Sequence, residues 1–130
     1  SLGGQLPVDA IGIHPYTRWG TQAPFDWGKT YGTLGQAFEV YKRELPGKKF
    51  WITEIGVADD NEIGSKFYAE IGAYMRDVYK TVGDRYADLV PVLIWFAWSD
   101  FMRNAGVLKT DGNRKDHVYP AFRAVRNREL

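Results

Sequence analysis

Phe50-Trp51-Ile52-Thr53-Glu54-Ile55 is a run of aromatic and β-branched side chains broken once by a carboxylate, and it follows Pro46-Gly47-Lys48-Lys49. Short, nearly continuous apolar runs bounded by turn residues suit strands covered on both faces, as in parallel sheets. Working outward, two more runs share this character. Val8–His14 (V-D-A-I-G-I-H) precedes Pro15, and Val92–Trp98 (V-L-I-W-F-A-W) follows Pro91.

Helical patterns lie between them. Leu34, Phe38, Tyr41 and Leu45 recur at helical spacing, with Thr33 and Gln36 as a capping box and Pro46-Gly47 as the stop. Phe67, Ile71, Tyr74, Val78 and Val82 form the stripe of a longer helix. A third helix is predicted from Tyr119-Pro120, proline being tolerated in a first turn, with Phe122 and Val125 buried. Asp111-Gly112, inside Gly106–Lys115, predicts a small β-hairpin. The order strand-helix, strand-helix, strand-hairpin-helix predicts an α/β fold of parallel βα units with right-handed crossovers. The loop from Tyr16 to Tyr31 is long for a compact domain, and such loops are usually functional.

The chain has 130 residues, enough for one domain and too few for two ordinary ones. Seventeen basic residues against sixteen acidic ones leave a formal charge of +1, which offers no electrostatic reason to expect nucleic acid or a membrane surface as partner. The pairs Lys48-Lys49 and Arg114-Lys115 read as solvated surface charge. With no cysteine and only His14 and His117, neither a disulfide framework nor a thiol- or histidine-rich metal centre is expected, and no motif calls for a cofactor. Ser1–Gln5 has neither the basic region nor the apolar run of a signal peptide. The apolar stretch Leu89–Trp98 falls short of the ~20 residues that span a bilayer. The chain is expected to be soluble, with secretion left open. Aromatics make up 15%, with five Trp, eight Tyr and seven Phe; this suits a core and equally a cleft that stacks on sugar rings.

Glu54 is the residue that the strand pattern does not predict. A carboxylate at the end of an apolar strand is costly to bury without partners. It is either a structural glutamate paired at a strand end or a functional group at the C-terminal mouth of a parallel sheet. The other runs end the same way, the first in His14-Pro15-Tyr16 and the third in Trp95, Trp98 and Asp100. A single histidine such as His14 more often belongs to a core or loop, but three strand ends converging on one mouth favour a site.

In this order and spacing, D-A-I-G-I-H-P-Y, K-F-W-I-T-E-I-G and L-I-W-F-A-W-S-D resemble strands six, seven and eight of the clan-A (β/α)₈-barrel glycoside hydrolases, the group of cellulases, mannanases, xylosidases and β-glycosidases. The tail G-V-L-K-T-D-G-N-R-K-D-H-V-Y-P-A-F-R-A-V is similar to their closing hairpin and helix. The resemblance implies that residues 1–130 are the C-terminal part of a TIM barrel, and that the reaction is retaining hydrolysis of glycosidic bonds in an oligo- or polysaccharide. By position, Glu54 matches the nucleophile, His14 and Tyr16 the pair lining the cleft, and Trp98 the tryptophan under the sugar beside the cleaved bond. Trp95 is the second choice for that role, Tyr16 a candidate donor to Glu54 and Asp100 a further substrate contact, while Trp19 and Trp27 on the long loop either stack on more distant sugars or pack the loop itself.

A retaining mechanism needs a second carboxyl ~5–5.5 Å from the nucleophile as acid/base. The family supplies it from strand four, as an Asn-Glu pair with no counterpart here. Asn61-Glu62 has the same letters in a non-corresponding loop, and Asp59, Asp60 and Asp100 match no family acid/base. A full barrel takes ~250 residues, so the remaining strands are expected from the same parent chain or a partner chain. Two other readings stand beside this one: a non-catalytic sugar-binding or vestigial barrel module, and a half-barrel that assembles with copies of itself or another chain.

Overall fold

The computed structural model describes residues 7–15, 34–57, 65–101 and 105–130. It contains β1 (Ala10–Ile13), α1 (Leu34–Glu44), β2 (Lys49–Ile55), α2 (Ser65–Arg85), β3 (Val92–Trp95) and α3 (Val118–Asn127). The strands form one parallel sheet in the order β1-β2-β3, as the alternation predicts. This is an α/β fold of βα units, a partial barrel.

One face of the sheet is covered by helices. Phe50, Ile52 and Ile55 of β2 are fully buried there with Phe38 of α1, and the whole expected stripe of α2, Phe67 to Val82, is buried with them. Burying a side chain of this size contributes about 1.5–3 kcal/mol. Tyr41 stacks on Phe50 with ring centroids 5.1 Å apart, and Gly47 turns the chain out of α1 at φ 77°. The proposed capping residue Thr33 lies outside the described residues. On the opposite face no described helix covers the sheet: Trp51 and Ile94 are exposed, and Trp51 shares its row with Gly12 and Val92.

The third helix packs differently from its expected pattern. It begins at Val118 and buries Val118, Ala121 and Ala124, while Phe122 and Val125 are only half-buried. The cause is close approach to α2. A Cβ on Gly72 would lie 2.5 Å from the carbonyl oxygen of His117 and 3.5 Å from Ala121 Cβ, so the seam admits only small residues.

β3 ends at Trp95, short of the expected Trp98, because the backbone changes partner. The Phe96 amide still donates to Ile55 O at 2.8 Å; residues 97–100 then run parallel to 105–108, with Val107 N donating to Ala97 O at 3.0 Å and Leu108 N to Trp98 O at 2.9 Å. A Cβ on Gly106 would fall 2.2 Å from the carbonyl carbon of Ser99, so glycine is required for this approach. The expected hairpin follows, with Leu108 bridging Arg114 antiparallel and Gly112 N donating to Lys109 O at 2.9 Å. Gly112, at φ 81°, takes the left-handed position of the turn.

Lys115 departs from the surface reading of Arg114-Lys115. Its side chain is 0% exposed and ion-pairs with Asp100, itself 6% exposed. The same Asp100 oxygen accepts the Gly106 amide at 2.8 Å, so the pair clamps the hairpin's return to the end of β3. The Lys115 ammonium sits 5.2 Å from the centre of the Tyr68 ring. Burial pushes Lys115 below the usual lysine range, with Asp100 acting against that shift. Burial, with Asp100 and Asp116 nearby, pushes the Tyr68 phenol up. No helix among the described residues is long and apolar enough to cross a membrane.

Two outcomes follow from these contacts. Lys115→Met leaves a buried carboxylate unpaired and is expected to destabilise by about 3–5 kcal/mol. Adding Asp100→Asn, whose oxygen still accepts the Gly106 amide, should recover most of that loss in urea unfolding. A loss under ~1 kcal/mol for the single variant would show that the pair is not buried. The second outcome concerns Tyr79, whose hydroxyl donates to Leu93 O at 3.2 Å and whose pKa burial raises to about 12. The folded state keeps a proton that the unfolded chain releases above its ordinary pKa of 10.0. This contribution is present below pH 10 and lost as pH rises towards 12, at up to about 1.4 kcal/mol per unit. Stability measured across that window should fall less steeply in Tyr79→Phe.

Candidate active site

The position of Glu54 depends on a local irregularity in β2. Strand alternation from the buried residues Phe50 and Ile52 would place Glu54 on the same face, under the helices. The ladder prevents this. Ile52 pairs with Leu93 and Ile55 with Trp95, so β2 advances three residues while β3 advances two. One extra residue reverses the parity: Ile55 returns to the helix-covered core, and the Glu54 side chain reaches the open side with 37% of its surface exposed. The carboxylate thereby escapes the desolvation that an apolar core would impose.

His14 lies one residue beyond β1 and is 53% exposed. Its Nδ1 stands 3.6 Å from Glu54 Oε2, beyond hydrogen-bond length. Between two half-exposed groups such a contact adds little stability, but it places an imidazole and a carboxylate on one mouth. Two residues on from Glu54, Gly56 lets the backbone after β3 approach closely, since a Cβ there would fall 2.0 Å from Phe96 O.

The two tryptophans separate. Trp98 is 55% exposed and meets Phe122 edge-on at 5.5 Å. Trp95 shares the row of the buried Ile55 and packs edge-on against Tyr74 of α2 at 5.9 Å, on the helix-covered face away from Glu54. Among the described residues its buried indole Nε1 has no hydrogen-bond partner. Asp100 also stands apart, its side chain committed to Lys115 and the Gly106 amide. The structure therefore brings Glu54 and His14 together, leaves Trp98 exposed at the same end of the sheet, and turns Trp95 and Asp100 inward. Tyr16, Trp19, Trp27, Asp59, Asp60, Asn61 and Glu62 lie outside the described residues.

Sequence reasoning passed over Phe101, which is 69% exposed and meets Phe96 edge-on at 6.0 Å, adding an aromatic surface beside the end of β3. Its signal was an aromatic residue placed directly after the polar stop Ser99-Asp100. Among the described residues, no three His, Cys, Asp or Glu side chains are grouped to hold a metal ion. The arrangement offers a water-accessible carboxylate with an imidazole beside it and exposed aromatic rings at the same sheet end. Such groups can attack or hydrogen-bond a polar ligand whose flat faces rest on the rings.

The sequence matches no protein-family model and no curated protein. Solved structures do match it. A GH2 β-galacturonidase from Eisenbergiella tayi, bound to galacturonate, superposes with a TM-score of 0.67 at 16% identity, covering 92% of this chain and 24% of its own. A GH128 (subgroup II) endo-β-1,3-glucanase from Sorangium cellulosum gives 0.56 at 25% identity, covering 88% of this chain and 40% of its own. Bifidobacterium dentium β-glucuronidase, complexed with coumarin-3-O-glucuronide, gives 0.56 at 16%, covering 92% and 21%. The chain thus spans between about a fifth and two fifths of these proteins, and its fold is one found within glycoside hydrolases.

Proposed function

We propose that this chain supplies the nucleophile side of a retaining glycoside hydrolase of the clan-A type, and corresponds to the last three βα units of its barrel. In this reading Glu54 attacks the anomeric carbon of an oligo- or polysaccharide and forms a covalent glycosyl-enzyme, which water then hydrolyses. His14 lies beside that carboxylate, and Trp98 offers a face for the sugar next to the cleaved bond. The observation that carries the reading is the parity reversal in β2, which takes a carboxylate out of an apolar strand and sets it on the open face 3.6 Å from His14. The glycoside hydrolase neighbours support it, and the 25% identity to an endo-β-1,3-glucanase makes β-linked glucans the first polysaccharides to try.

The acid/base is assigned outside these residues. Asp100 is committed to Lys115, so it cannot also protonate a leaving group. We place the second carboxyl on barrel strands contributed by the same parent chain or by a partner chain, which would also cover Trp51 and Ile94.

The test is turnover of aryl β-glycosides and β-1,3-glucan by the chain and by a longer protein containing it, each with Glu54→Gln. The longer protein should turn over, the chain alone should not, and Glu54→Gln should lower the rate by about a thousandfold or more. A slow fluoroglycoside should leave a sugar ester on Glu54, detectable by peptide mass spectrometry. Turnover that survives Glu54→Gln would remove Glu54 as nucleophile. Sugar binding with no turnover in any form would make the chain a carbohydrate-binding module.

A further inference from the structure

A second concave surface lies on the helical side of the molecule and shares no residue with the Glu54 mouth. This cavity of about 820 Å³ is lined by Arg76 on α2, by Arg114, Asp116 and His117 leading into α3, and by Arg123 and Glu129. Arg76 is half-buried, yet among the described residues it has neither an ion pair nor a hydrogen bond. The Arg114 guanidinium lies over the Tyr119 ring at 4.4 Å, a contact that uses its flat face and not its N–H donors. Arg123 is exposed, and among the described residues neither Asp116 nor Glu129 forms an ion pair with any of the three arginines. Lys115 contributes no free charge, because Asp100 holds it inward.

Three guanidiniums against the carboxylates of Asp116 and Glu129 leave the lining net positive, and half-burying Arg76 with no ion-pair partner among the described residues removes hydration from a charge. An oxyanion relieves both effects, since guanidinium forks match carboxylate or sulfate oxygens in pairs. The concave surface is wide enough to hold more than a single ion. The half-buried ring of Tyr119 adds an apolar wall.

We propose that this cavity binds an acidic saccharide through its carboxylate or sulfate group, with Arg76, Arg114 and Arg123 holding the charge. It would anchor an anionic chain at a distance from the Glu54 mouth. The saccharide component rests on the glycoside hydrolase reading; the oxyanion component stands on the arginines alone.

The experiment is titration calorimetry of the chain with an oligogalacturonate, a sulfated oligosaccharide, a neutral β-glucan oligosaccharide of equal length, and sodium sulfate. An acidic oligosaccharide should bind more tightly than sodium sulfate and weaken as salt rises. Arg76→Gln and Arg123→Gln should each weaken it about tenfold. Arg76→Lys, which keeps the charge without the fork, should fall between. Arg123 is exposed, so its variant tests the site even if Arg76→Gln disturbs packing. Glu54→Gln should leave this binding unchanged, which separates it from the fate of the catalytic reading. Equal binding of neutral and acidic oligosaccharides, or binding indifferent to the arginines, would overturn the proposal. Sodium sulfate binding as tightly as the acidic oligosaccharides would overturn the saccharide component, and no binding at all would overturn the whole.

Discussion

The extra residue that β2 carries against β3 between Ile52 and Ile55 governs much of what this chain can do. With unbroken alternation, Ile55 would face outward and Glu54 would enter a core built from Phe50, Ile52 and α2. Neither outcome is tolerable: one strips a carboxylate of water, and the other exposes an apolar side chain that the helices need. The offset resolves both at once. Just beyond it, Gly56 lets the Phe96 carbonyl approach and the Phe96 amide closes on Ile55 O. The geometry of the mouth is thus a consequence of core packing a few residues away.

The two faces of the sheet obey different demands. Under the helices, every large residue of the α2 stripe is buried, and the α2–α3 seam is tight enough to exclude a Cβ at Gly72. On the other face, Trp51 and Ile94 stand in the open, in rows that a closed barrel would bury. The helical side therefore has the finished packing of a domain, and the open side has the composition of an interior.

Periodicity made the fold legible. Parallel strands, the α2 stripe and the Asp111-Gly112 turn all follow from spacing and residue type, because each depends on neighbours close in the chain. The face of α3 did not follow, because its contact with Gly72 is a matter of backbone clearance across some forty-five positions, and size selects alanine over phenylalanine there. Lys115 was illegible for a related reason: a lysine in a charged hairpin looks solvated until its partner Asp100 is brought beside it. At the site, Glu54 stood out as the polar exception in an apolar strand, and His14 as its neighbour at another strand end. Which of Trp95 and Trp98 is exposed depended on the β2 offset and on the change of backbone partner after Trp95, neither of which has a local sequence signal.

The Asp100–Lys115 clamp has a consequence for how this kind of chain can drift over generations. Asp100 and Lys115 are fifteen positions apart and joined through a buried contact, so the loss of either by a single substitution strands a charge in the interior. The two positions should therefore change together or not at all, and Gly106, which lets the strands between them touch, should be held with them. An aspartate directly after a Trp-Ser step, a glycine six residues on and a lysine nine beyond that make a spaced signature. It would pick out chains that fold their ends in this way even where the residues around Glu54 have diverged.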